Sequence, residues 1–307
     1  MYNVFIDGSA GTTGLKIVDR LSSRKDINLI ILPDELRKDT LARKEAINSS
    51  DVAFLCLPDT AAIEAVSLVE NEKVKIIDTS TAHRTNDAWQ YGFAEINGFE
   101  SKIANHKRIA NPGCHASGFI SLINPLVNAG VLSEKAKLTC FSLTGYTGGG
   151  KKMIAEYEGE EKPTLYDAPR QYGLTQKHKH LPEMQKYCKL EFSPIFCPIV
   201  ADYDRGMEVT VPLFKDDINC DINQLKEIFK KAYEGSKVIK FVENDEGGFL
   251  SANSMKGKDS LEVSVFGNED RIILVSRFDN LGKGASGAAI QNMNILLGLE
   301  QTTGLIL

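Results

Sequence analysis

The first 80 residues alternate short apolar runs with segments of helical periodicity, and this alternation restricts the possible folds more than any other feature. The strand-like runs cover residues 4–6, 29–32, 52–57 and 74–78, and the helix-like segments cover residues 14–21, 41–47 and 61–69. Apolar strands separated by helices are typical of a parallel sheet whose two faces are both covered. The sequence therefore predicts an α/β fold that begins with a parallel-sheet domain.

The pattern changes near residue 115. Strand-like segments follow at residues 137–144, 206–213, 261–266 and 272–278, with one helix at 223–233 and a final helix at 286–299. Met207, Val209 and Val211 alternate with polar residues, which is typical of an antiparallel sheet with one buried face. We therefore predict a second, α+β domain with a mostly antiparallel sheet, and the final helix could belong to either domain.

Composition excludes several classes of protein. The 307 residues suffice for two domains, and a net charge of −5 without a dense Lys/Arg run predicts no nucleic-acid partner and no membrane partner. The six cysteines lack close C-x-x-C pairs, which favours a reduced protein over a disulfide scaffold or zinc module. No signal segment and no apolar stretch of 18 residues is evident, so a cytoplasmic location is expected.

A glycine-rich turn joins the first strand to the first helix. Its spacing, G-x-x-G-x-x-G, differs from the usual G-x-G-x-x-G, and a glycine turn without a ligand is the alternative. Glycines allow a backbone to approach a pyrophosphate, and a helix N-terminus favours the anion. We predict that a dinucleotide contacts the residues of this turn, namely Gly8, Gly11, Thr12, Thr13 and Gly14.

The ends of the second and third strands bear on the choice of cofactor. Asp34 lies 20 residues after Gly14, which fits an acid on a ribose 2′-hydroxyl, but Arg37 and Lys38 follow and could hold a 2′-phosphate. Solvated loop charges are the third interpretation, so local sequence leaves NAD and NADP open. Pro58, after the third strand, could line the cofactor.

Cys114 is the candidate nucleophile. It follows Pro112 and Gly113, which form a tight turn, and precedes an apolar, helix-like stretch, so we predict that it lies at a helix N-terminus. The dipole of that end lowers a thiol pKa and favours the reactive thiolate. A buried structural cysteine is the alternative.

Two further segments offer groups for a substrate. Ser80 and Arg84 follow the fourth strand, where hydroxyls and a guanidinium suit an anionic group, although a surface turn would look the same. His178 and His180 offer an acid/base near neutral pH, with Tyr172 just upstream. Structural histidines are the main alternative. A metal site has no obvious third ligand, and we predict none.

Two other glycine-rich segments are weaker signals. Residues 145–152 follow a strand and either cradle a phosphate or form a mobile active-site loop, although they do not match a P-loop. Residues 280–287 precede the last helix and offer N–H groups at its start, so Gly284 is a further candidate cofactor contact.

Together these features indicate one reaction type. A dinucleotide fold, a cysteine at a helix N-terminus and a histidine base suit thiolate attack on an activated carbonyl, with hydride exchanged with a nicotinamide.

The chain resembles the N-acetyl-gamma-glutamyl-phosphate reductase family, in particular its shorter form. Long runs carry the likeness over nearly the whole chain, among them GGGKKMIAEYE, HKHLPEM and DNLGKGASGAAIQNMN. The resemblance implies NADPH, Cys114 as nucleophile and His180 as acid/base, with His178, Glu183 and Tyr172 around an acyl phosphate.

The resemblance also implies a semialdehyde-dehydrogenase-like architecture. A Rossmann domain would comprise residues 1–114 and 285–307, and a catalytic and oligomerisation domain residues 115–284, in a homo-oligomer, either a dimer or a tetramer.

One departure from the family pattern lies beside the nucleophile. The family usually has an aromatic residue and a proline there, as in Cys-Tyr-Pro, whereas this chain has His115 and Ala116. The expected reaction converts N-acetyl-L-glutamyl 5-phosphate to its 5-semialdehyde with release of phosphate, a step of arginine biosynthesis. The alternatives are a related aspartyl or aminoadipyl phosphate as substrate, and a non-catalytic nucleotide-sensing regulator.

Overall fold

A computed structural model describes all residues from Met1 to Leu307. The chain divides into two compact units. The first comprises residues 1–113 and 285–305, and the second comprises residues 114–284 and 306–307. The polypeptide thus leaves the first unit immediately before Cys114 and returns to it after Gly284.

The first unit alternates strands and helices, as predicted. Its elements are β1 (Tyr2–Asp7), α1 (Thr12–Leu21), β2 (Ile27–Ile30), α2 (Thr40–Asn48), β3 (Val52–Leu55), α3 (Asp59–Ser67), β4 (Lys75–Asp78), β5 (Gln90–Tyr91), α4 (Phe99–Ala104) and β6 (Arg108–Ala110), and it is completed by α9 (Gly287–Leu296). All strands are parallel in the order β2-β1-β3-β4-β6-β5. The predicted parallel sheet is confirmed.

Helices cover both faces of this sheet, which explains its uninterrupted apolar strands. Val4 and Ile6 join one buried cluster with Ile290 and Met293 of α9. Phe5, between them on the opposite face, joins a second cluster to which α2 and α3 contribute. The final helix therefore provides part of the core of the sheet formed by the start of the chain.

The second unit contains a seven-stranded mixed sheet. Its elements are α5 (Cys114–Asn128), β7 (Thr139–Gly145), α6 (Gly150–Glu158), β8 (Arg170–Gln171), α7 (Leu181–Tyr187), β9 (Ile195–Ala201), β10 (Met207–Phe214), α8 (Ile222–Ala232), β11 (Ile239–Phe241), β12 (Leu261–Gly267) and β13 (Arg271–Phe278). The strand order is β11-β12-β13-β10-β7-β9-β8. Strands β7 and β9 and strands β11 and β12 pair in parallel, and the other pairs are antiparallel, as predicted for most of this sheet.

The two faces of this sheet differ. Helix α5 packs on β10 and β13, and Val209 and Val211 are buried on that side. On the other side, large apolar side chains are exposed, among them Phe141, Ile195 and Ile273. The alternation read from the sequence thus identifies one buried face.

The prediction of a single helix among these strands was wrong. Helices α6 and α7 also lie there, and both are short. Helix α6 begins at Gly150 and α7 has a proline in its first turn, so neither gives a strong sequence signal. No helix of the structure combines the length and apolar character needed to cross a membrane.

Candidate active site

The glycine turn after β1 has no room for a side chain at its two ends, Gly8 and Gly14. Gly8 has φ +84°, and a Cβ there would lie 2.3 Å from the Cys56 carbonyl oxygen. A Cβ on Gly14 would lie 2.4 Å from the Gly8 carbonyl oxygen, so α1 starts directly against the turn. Strand β1 lies between β2 and β3, where the strand order reverses and where ligands bind in sheets of this type.

A cavity of about 450 Å³ opens beside this turn, and we call it the nucleotide pocket. Its lining includes Gly8, Ser9, Ala10, Leu32, Arg37 and Lys38. The predicted 2′-phosphate residues are therefore brought to the glycine turn. Asp34 instead forms an exposed ion pair with Arg37 at 2.7 Å. Arg37 and Lys38 thus line the pocket, and the Asp34 carboxylate is paired with Arg37.

A buried ion pair, Asp7 with Arg43, is part of the lining of the nucleotide pocket. Arg43 Nε donates to Asp7 Oδ2 at 3.0 Å, and Arg43 also contacts Glu64 at 3.1 Å. Burial raises the pKa of Asp7, while the Arg43 hydrogen bond opposes that rise.

Three other predicted cofactor residues lie at the starts of helices. Pro58 precedes the first residue of α3, and Thr12 and Thr13 are the first two residues of α1.

The segment after β4 is held by a buried carboxylate. Asp78 Oδ2 accepts from Ser80 Oγ at 2.8 Å and lies 2.6 Å from His83 Nδ1. The His83 ring stacks on Trp89 with centroids 4.1 Å apart. The hydroxyl of Ser80, a predicted substrate contact, is therefore engaged within its own loop.

The guanidinium of Arg84 donates hydrogen bonds to backbone carbonyl oxygens. Its Nε donates to the Asn111 carbonyl oxygen at 2.9 Å, and its Nη2 donates to that of Thr79 at 3.0 Å. The side chain is buried. These bonds favour a bracing role in the first unit, and the predicted contact between Arg84 and substrate phosphate stays a prediction.

Asn111 is fixed by all four of its polar groups. Its N–H donates to Asp78 O, and its carbonyl oxygen accepts from Arg84. Its side-chain amide donates to Ala285 O at 3.1 Å, and its Oδ1 accepts from Asn292 at 3.1 Å. The end of the first unit, three residues before the candidate nucleophile, therefore has little freedom to move.

Cys114 is the first residue of α5, as predicted, and it is partly accessible. Within the second unit, Gly284 approaches it so closely that a Cβ on Gly284 would lie 2.9 Å from Cys114 Cβ. The thiol therefore lies at the positive end of the α5 dipole, and the absence of a side chain on Gly284 leaves room beside Cys114. Gly284, predicted as a cofactor contact, lies next to the candidate nucleophile.

Three imidazoles pack around one another near Cys114, and we call His115, His178 and His180 the histidine cluster. Ring centroids of His178 and His180 are 4.7 Å apart, and those of His115 and His180 are 5.4 Å apart. His178 Nδ1 accepts from the His180 N–H at 3.2 Å, which places the proton of a neutral His178 on Nε2. The two predicted histidines are therefore brought together with a third.

His115 links two hydroxyls. Its Nδ1 lies 2.7 Å from Ser142 Oγ, and its Nε2 lies 2.7 Å from Tyr172 Oη. Burial, with a smaller effect of His178, lowers the pKa of His115 to about 3. Burial, with a smaller contribution from Cys114, raises the pKa of Tyr172 well above its usual value. Both groups are neutral around pH 7, so Tyr172 keeps its hydroxyl proton.

Sequence reasoning missed His115 as a member of this cluster. In the sequence, His115 stands out only as a departure from the family pattern beside the nucleophile, although the chain contains just five histidines. Its position directly after a candidate nucleophile was the available signal. Helix α7 carries the other predicted groups: His180 precedes its first residue, and Glu183 is buried in its first turn.

The segment 145–152 is not an extended loop. Tyr146–Gly149 form a 3₁₀ turn, and α6 follows at once from Gly150. The sequence left the conformation of this segment open, and in the structure its glycines form the start of a helix. A phosphate contact by this segment stays a prediction.

Two family models match the chain. The semialdehyde dehydrogenase NAD binding domain matches residues 33–106, and the semialdehyde dehydrogenase dimerisation domain matches residues 114–280.

Solved structures agree with this fold. Aspartate semialdehyde dehydrogenase II from Vibrio cholerae, complexed with ASA, has a TM-score of 0.72 at 16% identity and covers 97% of this chain and 98% of its own. The enzyme from Francisella tularensis has a TM-score of 0.71 at 13% identity, covering 97% and 100%.

Curated relatives are much closer in sequence. The N-acetyl-gamma-glutamyl-phosphate reductase of Sinorhizobium medicae is 44% identical, covering 96% of this chain and 98% of its own. N-acetyl-gamma-glutamyl-phosphate reductase 2 of Nostoc sp. is 43% identical, covering 98% of each chain. Identity of this degree over almost the full length confirms the resemblance read from the sequence. The chain belongs to the N-acetyl-gamma-glutamyl-phosphate reductase family.

Proposed function

We propose that the protein reduces N-acetyl-L-glutamyl 5-phosphate to N-acetyl-L-glutamate 5-semialdehyde, using NADPH and releasing phosphate. The observation that carries this proposal is Cys114 at the start of α5, in the same unit as the paired His178 and His180. The names of relatives 43–44% identical over nearly the full length support the choice of substrate and its place in arginine biosynthesis.

The geometry of the first unit suits a dinucleotide. A cradle that a Cβ at Gly8 would fill lies beside a cavity with Arg37 and Lys38 in its wall. In this proposal, Gly8, Gly11 and Gly14 let the backbone approach the pyrophosphate, and the two cations bind the 2′-phosphate that distinguishes NADPH. Bound there, NADPH supplies a hydride to the acyl carbon.

The second unit supplies the nucleophile and the proton transfers. The Cys114 thiolate attacks the acyl carbon, the bond from that carbon to the phosphate oxygen breaks, and phosphate leaves with the bonding electrons. A thioester on Cys114 remains. After reduction of the acyl carbon, its bond to Sγ breaks and the thiolate is restored as the semialdehyde leaves.

His180 is the proposed acid/base for this cycle. It lies in the histidine cluster, and one of its ring nitrogens is within 4.8 Å of the Cys114 sulfur, so the ring is within reach of the thiol. A neutral imidazole can take the thiol proton, and the imidazolium can lend that proton to the developing oxyanion and take it back when the carbon–sulfur bond breaks. Tyr172, His178 and Glu183 are proposed to orient the substrate.

Two residues of the first unit are proposed to contact the substrate. Ser80 and Arg84 stay predicted contacts of the substrate, and their observed partners are Asp78, Asn111 and Thr79. Titration of phosphate in the reverse assay separates a phosphate contact from a purely bracing role.

We also propose a homo-oligomer, with a dimer formed through the exposed face of the mixed sheet. Phe141, Ile195 and Ile273 are exposed on that face, and the matching family model is a dimerisation domain. Sedimentation velocity tests this, because a charged residue at Phe141 should shift the protein toward the monomer. A tetramer would require a second interface.

The decisive experiment is the reverse reaction. Purified protein should reduce NADP in the presence of N-acetylglutamate semialdehyde only when phosphate is added. Preference for an aspartyl or aminoadipyl semialdehyde would move the protein to a related substrate. Tight NADPH binding without turnover of any of the three would instead favour a nucleotide-sensing regulator. The cytoplasmic location stays a prediction, which cell fractionation tests.

A further inference from the structure

Three side chains with soft ligand atoms converge at the start of α5. The Cys114 sulfur and one ring nitrogen each of His115 and His180 all lie within 4.8 Å of one another. Cys114 and His115 are consecutive in the first turn of α5, and His180 lies just before α7. Both histidines are buried, whereas Cys114 is partly accessible.

This set of donors suits a small thiophilic cation. Thiolate and imidazole are the ligands preferred by Zn²⁺ and Co²⁺, and three protein ligands leave one position of a tetrahedron open. Metal–ligand bonds of about 2.0–2.3 Å place tetrahedral ligands roughly 3.3–3.8 Å apart. The observed atoms therefore need to approach by at most about 1–1.5 Å to reach that spacing.

The surroundings of His115 suit a metal-bound imidazole. Its two nitrogens face the hydroxyls of Ser142 and Tyr172, each at 2.7 Å. When one nitrogen turns to a metal, the other keeps a hydroxyl as its hydrogen-bond partner. Such a partner fixes the ring orientation and the tautomer of metal-bound histidines.

We propose that Cys114, His115 and His180 form a binding site for a thiophilic divalent transition-metal ion. Binding replaces the thiol proton by the metal and releases that proton to solvent, while the imidazoles donate lone pairs and no electrons are transferred. A second consequence rests on the proposed function: the occupied sulfur cannot attack a carbonyl, so the metal inhibits the enzyme.

Cobalt titration of the chelator-treated protein tests the site directly. We expect one equivalent of Co²⁺ to give a thiolate-to-cobalt charge-transfer band together with the visible bands of tetrahedral cobalt, and Zn²⁺ to displace it. Cys114→Ser should abolish the charge-transfer band. His115→Gln and His115→Phe should each weaken binding at least about a hundredfold, because ligand loss exceeds the effect of altering a ligand's hydrogen bond.

Matched controls use His106 and Cys220, which are outside the cluster. His106→Gln and Cys220→Ser should bind cobalt as the unchanged protein does. Two His115 variants are used so that a folding defect in one, detected by circular dichroism, leaves the other to decide. Undiminished cobalt binding in a folded His115 variant, or a cobalt spectrum without the thiolate band, would overturn the proposal.

Turnover measured without metal separates this inference from the proposed function. A thiolate–cobalt site in a protein that turns over none of the acyl phosphates would support the metal site and reject the reductase proposal. Turnover without any cobalt site would do the reverse. Inhibition by Zn²⁺ that persists in a folded, active His115→Gln variant would also overturn the three-ligand site.

Discussion

The nucleotide pocket and the histidine cluster are constructed in opposite ways. The pocket depends on backbone: one continuous turn, Gly8 to Gly14, has no room for side chains at its ends. The cluster depends on side chains from separate segments, with His115 joined to Ser142 and Tyr172, which are 27 and 57 residues away. Changes in the pocket should therefore act through shape and charge, whereas changes in the cluster should act on chemistry.

The largest expected effect comes from the cluster side. Cys114→Ser should reduce turnover by at least about 10³, because an alkoxide is much harder to form than a thiolate. Cofactor binding should be retained. Steady-state rates and mass spectrometry of the trapped acyl-enzyme measure the effect, with Cys220→Ser as control. Turnover near the original rate would remove Cys114 from the mechanism.

Within the histidine cluster, the two predicted residues should differ. His180→Asn should lower turnover by about 10²–10⁴, the usual range for a positioned acid/base. His178→Asn should mainly raise the KM of the acyl phosphate, since the ring is proposed to orient substrate. Separate determination of kcat and KM checks this, and silence of both variants would make the pair structural.

The backbone character of the pocket can be tested with two glycines of the same turn. Gly8→Ala introduces a side chain at φ +84° and a Cβ 2.3 Å from Cys56 O, so we expect a loss of stability of at least about 1–3 kcal/mol and weakened NADPH binding. Gly11→Ala is the matched control for stability, because its Cβ would lie 3.4 Å from the nearest atom. Thermal unfolding measures both variants and cofactor titration measures Gly8→Ala, and an equal loss of stability in the two variants would contradict the steric argument.

The charges of the pocket should matter for one cofactor only. Replacing Arg37 and Lys38 together by Ala should weaken NADPH about tenfold to a hundredfold, in line with about 1.5–3 kcal/mol for a hydrogen bond to a charged group. Binding of NADH should change little. Lys44→Ala, which removes an exposed partner of Glu70, is the control. Equal weakening of both cofactors would place the preference elsewhere.

The smallest effect is expected for Arg84→Lys. Lysine cannot make both backbone bonds of the guanidinium, so we expect a melting temperature lower by a few degrees, from about 1–2 kcal/mol of lost hydrogen bonding. Phosphate titration in the reverse assay then shows whether Arg84 also contacts the substrate phosphate. A selectively raised phosphate KM would support the contact predicted from the sequence, and an unchanged melting temperature would reject the brace.

The features that could be predicted from the sequence are those encoded by neighbouring residues. The glycine turn, the parallel strands and the start of α5 at Cys114 each depend on short, continuous patterns, and each is confirmed. The family, read from long runs of sequence, is confirmed by relatives over the full length. The roles of individual site residues stay predictions.

Features that depend on distant partners could not be read in the same way. Nothing near Arg84 indicates that its guanidinium would bond Asn111, 27 residues later, because that contact requires β4 and β6 to be adjacent. In the sequence, His115 is only a departure from the family pattern beside the nucleophile. Its partners Ser142 and Tyr172 belong to β7 and to the segment after β8, which are adjacent to it only in the folded chain. Helices α6 and α7 were missed because glycine and proline mask short helices.

The position of α9 has a consequence for how the protein is made. The face of the parallel sheet that carries Val4 and Ile6 is closed by Ile290 and Met293 of α9. A ribosome synthesises the sheet before residues 114–284 and that helix after them, so this apolar face stays uncovered while the second unit is made. Nascent chains of this protein should therefore depend on chaperones until α9 has emerged, and a stalled chain ending before residue 287 should aggregate.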